Sequence, residues 1–281
     1  MGEEISFASR YRVEHFREQL HYQGYGSDFY QVDEVEDLDW DAYRAVVCYR
    51  CSREDVVCKV VEQAKKTGLN VYYDIDDLIF DYERISYLHF LTGSEYKDFK
   101  KTTEQIHSCM ELCDGYFTST DTLAGEIRRE FPGKPVVINR NCASMEMQIL
   151  SHDAVEQVEK DPEHIFIGYF SGSKTHDQDF EVAEEALLEV MKEHPEVRLK
   201  LVGVLSDRKM EKFGNKVEKL PFMDWKQLPS VMAGIDINLM PLEEVRKQMD
   251  GSRTGESAIS DEQKPGDGRR DRKWCGWLAL Q

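Results

Sequence analysis

The sequence lacks a long hydrophobic run. No apolar stretch approaches the roughly 20 residues that a transmembrane helix needs, and the N-terminus MGEEISFASRYR has no basic start followed by an apolar stretch. We therefore predict a cytosolic protein without a transmembrane segment, and leave a peripheral association with the membrane open.

The sequence is also poor in basic residues. Lys and Arg number 36 against 54 Asp and Glu, which gives a net charge of −18. Because so acidic a surface repels phosphate backbones, we do not expect nucleic acid as a partner.

The cysteines do not form the even set that a disulfide framework requires. There are seven of them, and some lie in apolar runs such as Val46-Val47-Cys48. This favours buried, reduced thiols. Cys48 and Cys51 have the spacing of a redox pair, but Cys48 completes a predicted strand and does not open a helix, so the sequence favours packing here as well.

Enough apolar material is present for two cores. Hydrophobic residues make up 41% of the 281 residues, and this length predicts about two domains. Strand-like runs alternate with amphipathic helical stretches, which is typical of an α/β fold with parallel sheets. We predict strands over residues 44–49, 70–74, 115–119 and 135–138 in one domain, and over 165–170, 198–202, 217–220 and 235–240 in the other. The predicted helices cover 11–23, 53–67, 97–113, 120–130, 151–160, 180–194 and 225–233.

Composition also suggests the domain limits. We assign residues 1–150 to the first domain, 151–163 to a linker and 164–245 to the second domain. Residues 246–281 differ from the rest: they contain eight Lys and Arg against six Asp and Glu, and five glycines, and they have neither a period of 2 nor of 3.6. They are predicted to be a disordered tail.

Six segments carry a resemblance to a known family. In chain order they are RYRVEHFREQL, VYYDIDDLIFD, GYFTSTDTLAGEI, IGYFSGSKTHDQDF, LKLVG and LPFMDWKQLPSVMAGIDINLMPLE. Together they resemble bacterial glycosyltransferases of the GT-B fold, most closely the retaining, nucleotide-sugar-using branch grouped as family four. The resemblance covers about residues 7–244. It implies two Rossmann-like domains, an acceptor-side domain first and a nucleotide-sugar-binding domain second, of which the second is incomplete here.

The tail can be tested against this resemblance with the genetic code. Codons permitted for residues 245–281, read one nucleotide later, can encode a string containing KWMEA and NGVDGLL, which looks like the later donor-domain segment of the family. The codons of Met249, Trp274 and Trp277 force matching Trp and Gly residues there. We therefore hypothesise that the tail is a frameshift product.

The first candidate site is Asp74-Ile75-Asp76-Asp77, which follows a predicted strand. An Asp-x-Asp at such a place can hold a divalent metal. The resemblance argues against a metal, since it places the donor in the second domain. We therefore predict that Asp76 and Asp77 act at the acceptor hydroxyls, with helix capping as the alternative.

The second candidate site is the loop between the strand 165–170 and the next helix. Ser171, Gly172, Ser173, Lys174 and Thr175 are placed to bind the diphosphate of the donor, because backbone amides and a helix dipole meet there. A plain glycine turn is the alternative. His176 is a candidate for a catalytic role at the sugar or for a structural role in the loop.

Two further groups complete the predicted site. The resemblance suggests that Pro221 and Phe222 receive the nucleotide base, with a core role for Phe222 and Trp225 as the alternative. Arg10 and Arg12 open the first helix and are predicted to bind an anionic acceptor or the diphosphate, with a solvated pair as the alternative.

The expected function is therefore transfer of a sugar from a nucleotide diphosphate sugar, as co-substrate, to a glycan or polysaccharide acceptor. No metal or other cofactor is expected. A non-catalytic, truncated remnant that folds and at most binds an acceptor or partner is the alternative from a different class.

Overall fold

A computed structural model describes residues 9–31, 34, 38–81, 93–172, 176–206 and 208–241. The chain divides into a first unit that ends at Cys142 and a second that begins at Ala143. The predicted tail over 246–281, and the hypothesis of a frameshift there, lie outside the described residues.

The first unit contains one parallel sheet. A π-helical turn over Arg10–Glu14 leads into α1 (His15–Tyr22), and the unit continues with β1 (Ala45–Tyr49), α2 (Asp55–Lys66), β2 (Asn70–Asp74), α3 (Gly93–Leu112), β3 (Gly115–Thr118), α4 (Asp121–Glu130) and β4 (Val136–Ile138). The described strands have the order β1-β2-β3-β4, and every neighbouring pair is parallel.

The helices of this unit form where apolar residues recur on one face. In α2 the buried residues Val57, Val61 and Ala64 are spaced four and three apart, which places them on one side of the helix. At the start of α4 the Thr120 hydroxyl accepts a hydrogen bond from the amide of Leu123 at 3.2 Å, so an otherwise unpaired helix donor is satisfied.

The second unit contains another parallel sheet. It consists of α5 (Met145–Gln157), β5 (Ile165–Ser171), α6 (Asp177–Glu193), β6 (Val197–Gly203), a 3-10 stretch over Arg208–Lys216, β7 (Val217–Leu220), α7 (Leu228–Ala233) and β8 (Ile237–Leu239). The described strands have the order β7-β6-β5-β8. Phe180 and Met191 of α6 are buried against Leu199 and Leu201 of β6, and these residues form part of its core.

These observations confirm the predicted α/β class, its two parallel sheets and the eight predicted strands. Two helices begin four or more residues before their predicted starts. The helix predicted from 151 begins at Met145, because the hydroxyl of Ser144 caps it by accepting from the Met147 amide at 3.1 Å. Residues 151–157, assigned to a linker, lie in this helix. The helix predicted from Lys97 begins at Gly93.

Candidate functional site

The carboxyl edge of the first sheet carries a buried ion pair. Asp74 ends β2, and its two carboxylate oxygens accept hydrogen bonds from Nε and Nη2 of Arg12, both at 2.8 Å. The two side chains are each only 1% exposed. Nη1 of Arg12 donates further to the carbonyl of Asn139 and, at 3.1 Å, to Oδ1 of Asn141. Arg12 thus joins the segment before α1 to the ends of β2 and β4.

This placement corrects the expectation for Arg12. The sequence suggested an arginine that is solvated or faces an anionic ligand, whereas its guanidinium is buried and its three nitrogens bind groups of the same unit. Arg10, the first residue of the π-helical turn, is only half-buried. The two arginines therefore do not form a matched pair.

Two opposing effects act on the pKa of Asp74. Burial raises the pKa of its carboxyl to about 6, and the hydrogen bonds from Arg12 oppose that rise. Nearby, His15 is also buried and donates from Nδ1 to the carbonyl of Cys142 at 2.8 Å. Loss of hydration lowers the pKa of His15, which favours the neutral imidazole.

Asp76 and Asp77 share one cation, Arg50. Nη2 and Nε of Arg50 donate to Oδ1 of Asp76 at 2.6 and 3.1 Å, and Nη2 also binds Oδ2 of Asp77. Arg50 has φ of +48°, the left-handed conformation that a non-glycine residue seldom adopts. No helix begins between residues 75 and 81, so the capping alternative is wrong for both carboxylates.

Arg50 was not predicted from the sequence as a partner of these carboxylates. The available signal was its position directly after a predicted strand, because the residues that follow parallel strands meet at one edge of a sheet.

The second sheet reverses its strand order at β5. The chain runs from β5 to β6 and β7 on one side and then returns to place β8 on the other side of β5. In open α/β sheets, ligands bind at the carboxyl ends of the strands on either side of such a switch point. Ser171 ends β5 at this point and Gly172 follows it.

The carboxyl ends of β5 and β6 approach one another closely. The amide of Val204 donates to the carbonyl of Ser171 at 3.2 Å. Gly203 has φ of +98°, and a Cβ built there would lie 1.9 Å from that same carbonyl oxygen. Only glycine fits at this position.

His176 precedes α6, the helix that follows the loop. Its Nδ1 lies 3.0 Å from Oδ2 of Asp179, and its carbonyl accepts from the hydroxyl of Tyr169 at 3.0 Å. Asp177 accepts from the amide of Ser206 at 3.2 Å. Both first-turn carboxylates of α6 thus have local partners. The predicted diphosphate residues Ser173, Lys174 and Thr175 lie outside the described residues.

The two aromatic residues that follow β7 differ in their exposure. Phe222 is 52% exposed, whereas Trp225 is 7% exposed. The core interpretation is therefore wrong for Phe222 and holds for Trp225. Pro221 is exposed beside Phe222.

In the described part of the chain, no three His, Cys, Asp or Glu side chains are arranged to hold a metal ion. None of its helices is both long and apolar enough to cross a membrane.

No protein-family model and no curated protein matches this chain. Several solved structures align with it at low identity. A point mutant of TarM from S. aureus, in complex with UDP and other ligands, is 13% identical with a TM-score of 0.41, over 60% of this chain and 31% of TarM. Sucrose-phosphate synthase of Thermosynechococcus elongatus is 14% identical with a TM-score of 0.47, over 73% of this chain and 53% of the synthase. WaaG, a glycosyltransferase of lipopolysaccharide biosynthesis, is 15% identical with a TM-score of 0.45, over 81% of this chain and 70% of WaaG. The chain thus spans about a third of TarM and half of the synthase.

Proposed function

We propose that the chain is a glycosyltransferase that resembles the retaining family-four branch and moves a sugar from a nucleotide diphosphate sugar to a glycan or polysaccharide acceptor. The observation that carries the proposal is the segment from β5 through the loop to α6, at the switch point of the second sheet. The same segment, IGYFSGSKTHDQDF, is one of the six that resemble the family.

The chemistry of this segment suits a leaving diphosphate. A helix N-terminus offers backbone amides and the positive end of a dipole, and both stabilise negative charge. The charge that develops on the diphosphate as the sugar leaves needs such donors, and fixed donors require little reorganisation. Ser171 and Gly172 begin the loop, and we assign Ser173, Lys174 and Thr175 to the same role from the sequence.

The remaining assignments belong to the same proposal. His176 would act at the sugar, Pro221 and Phe222 at the nucleotide base, and Asp76, Asp77 and Arg10 on the acceptor side. The 52% exposure of Phe222 supports a ligand contact, because a fully buried ring could not be reached by a nucleotide base. For the carboxylates, a sugar hydroxyl would have to share Asp76 with Arg50. A carboxylate has about four acceptor positions, so both partners can be accommodated.

The test is nucleotide binding by the full chain and by two variants of Gly172. A Cβ built on Gly172 meets no heavy atom within 4 Å in the described part of the chain, so a side chain fits. Gly172→Asp adds a negative charge beside the proposed diphosphate and should weaken binding of UDP, GDP or ADP roughly tenfold, about 1.4 kcal/mol. Gly172→Ala is the matched neutral control and should bind like the native protein. Binding is measured by calorimetry.

Three outcomes decide the matter. Selective weakening by Gly172→Asp supports a diphosphate site at this loop. If the native chain binds none of the three nucleotides, or if both variants bind as it does, the site is wrong. If nucleotide binds there but nucleotide sugars are neither hydrolysed nor transferred, the chain is the non-catalytic, truncated remnant predicted as the alternative.

A further inference from the structure

The imidazole of His176 and the carboxylate of Asp179 form a pair at the start of α6. Nδ1 of His176 lies 3.0 Å from Oδ2 of Asp179. The Asp179 side chain is 18% exposed, whereas that of His176 is 51% exposed. The pair therefore joins a shielded carboxylate to an imidazole that a ligand can reach.

Both members of the pair are held in place by β5. The hydroxyl of Tyr169, in that strand, donates to the carbonyl of His176 at 3.0 Å. Burial, with smaller effects of Asp179 and Asp177, raises the pKa of Tyr169 to about 12, so the hydroxyl keeps the proton that it donates. The ring of Tyr169 also packs against Phe180, with the ring centroids 4.9 Å apart, and Phe180 is fully buried directly after Asp179. One side chain of β5 thus fixes the backbone on both sides of the pair.

The pairing decides which nitrogen of His176 carries the proton. A carboxylate only accepts hydrogen bonds, so Nδ1 of the imidazole must be the donor to Asp179. In the neutral imidazole the other nitrogen, Nε2, then has a lone pair and no proton. Nε2 can accept a hydrogen bond from a hydroxyl, but it has no hydrogen to donate to a phosphate oxygen. The neutral side chain is therefore suited to a sugar hydroxyl and not to a diphosphate.

We propose that Asp179 is a positioning residue, which holds His176 in the tautomer whose Nε2 accepts a hydrogen bond from a hydroxyl of the donor sugar. This inference rests on the proposed function, because it takes the loop after β5 as the donor site. It divides the recognition of the donor between two kinds of group. Backbone amides at the start of α6 bind the diphosphate, and His176 recognises the sugar.

The tautomer of His176 is measured directly by NMR. In the full chain with isotope-labelled histidine, long-range proton–nitrogen correlations distinguish a protonated ring nitrogen from a bare one. The signals of His176, one of eight histidines, are identified by their loss in His176→Ala. We expect a protonated Nδ1 and a bare Nε2 in the native chain, and a mixture of the two tautomers in Asp179→Ala. Asp179→Glu keeps a carboxylate acceptor and should restore the native pattern.

The role at the sugar is measured as a ratio of two affinities. Calorimetry gives the Kd of the full chain for UDP, GDP and ADP, and for UDP-glucose, GDP-mannose and ADP-glucose. The two members of each pair carry the same diphosphate, so the negative charge lost with Asp179 affects both, and their ratio isolates the sugar. We expect Asp179→Ala to lower the preference for the sugar-bearing member about tenfold, which is the size expected for one lost hydrogen bond.

Three further variants separate positioning from other effects. His176→Ala should lower the same preference at least as far as Asp179→Ala does. Asp179→Ala added to His176→Ala should lower it no further, because Asp179 acts through the imidazole. Glu181→Ala is the matched control, since it removes an exposed carboxylate from the same helix, and should leave both the tautomer and the preference unchanged. Circular dichroism checks the fold of each variant.

Several results overturn the proposal, and they differ in what else they affect. A proton on Nε2 in the native chain, or the same tautomer in the native chain and Asp179→Ala, rules out the positioning role. A changed tautomer with an unchanged affinity ratio removes His176 from the sugar but leaves the diphosphate site intact. A further loss when Asp179→Ala is added to His176→Ala means that Asp179 acts by another route. If the native chain binds none of these nucleotides, the proposed function itself fails, and this inference fails with it.

Discussion

Separating Arg12 from Asp74 should destabilise the first unit more than most single substitutions would. The two side chains are 1% exposed and joined by two hydrogen bonds of 2.8 Å. Asp74→Asn keeps the shape but replaces one carboxylate oxygen by an NH₂ group that faces the Nη2 donor of Arg12. Two donors, this NH₂ group and Nη2, then face each other in the interior, and a buried charged donor left without an acceptor typically costs about 3 kcal/mol. A protonated carboxyl does not create this conflict, because both of its oxygens can still accept.

The size of this effect is measurable by urea and thermal unfolding. For a unit of this length, a loss of about 3 kcal/mol corresponds to a fall in Tm of about 10 °C. A variant that removes both charges, Arg12→Met with Asp74→Leu, leaves no unpaired charge in the interior. Its free energy of unfolding should therefore exceed the value expected by adding the two single effects.

The pH dependence provides an independent check. A carboxyl with a folded pKa of about 6, above its ordinary 3.8, binds more protons in the folded than in the unfolded state between those values. Its contribution to stability is then fully present below 3.8 and is lost as the pH rises through 6. Arg12→Met removes the hydrogen bonds that hold this pKa down, so its stability should fall more steeply than that of the native protein between about pH 5 and 8.

Two results would contradict a buried ion pair between Arg12 and Asp74. If Asp74→Asn lowers the free energy of unfolding by less than about 1 kcal/mol, or if the two single effects add, the pair is not the buried contact described above.

Two smaller changes test other parts of the fold. Gly203→Ala should lower the Tm of the second unit or prevent its folding. The Cβ of the alanine would lie 1.9 Å from the carbonyl oxygen of Ser171, and φ at this position is +98°. A Tm within about 2 °C of the native value, measured by calorimetry under the same conditions, would contradict that close approach. Thr120→Ala removes the acceptor for the Leu123 amide and should cost about 1 kcal/mol in urea unfolding, and Thr120→Ser should restore most of it.

The sequence predicted the parts of the fold that depend on local pattern. The strand over Asn70–Asp74 has the predicted limits, since its apolar run is bounded by Gly68 and by the acidic residues that follow. α5 begins before the predicted start because Ser144 caps it.

The side-chain partners could not be predicted in this way. Arg12 and Asp74 are 62 residues apart, and Arg50 and Asp76 are 26 apart. Arg50 and Asp76 meet because each follows one of two neighbouring parallel strands, which end at one edge of the sheet. Arg12 reaches the end of β2 from the turn before α1, which only the tertiary fold brings there. Hydrophobic periodicity indicates which residues are buried, but it does not encode such long-range pairs.

Arg50 contributes to the first unit in two separable ways. Its backbone has φ of +48° and bends the chain as it leaves β1, and its side chain pairs with Asp76 and Asp77. Arg50→Gly and Arg50→Ala both remove the cation, but only glycine adopts the left-handed conformation without cost. The glycine variant should therefore be more stable than the alanine variant by about 1 kcal/mol in urea unfolding. Equal stabilities would mean that the left-handed bend is not intrinsic to the fold.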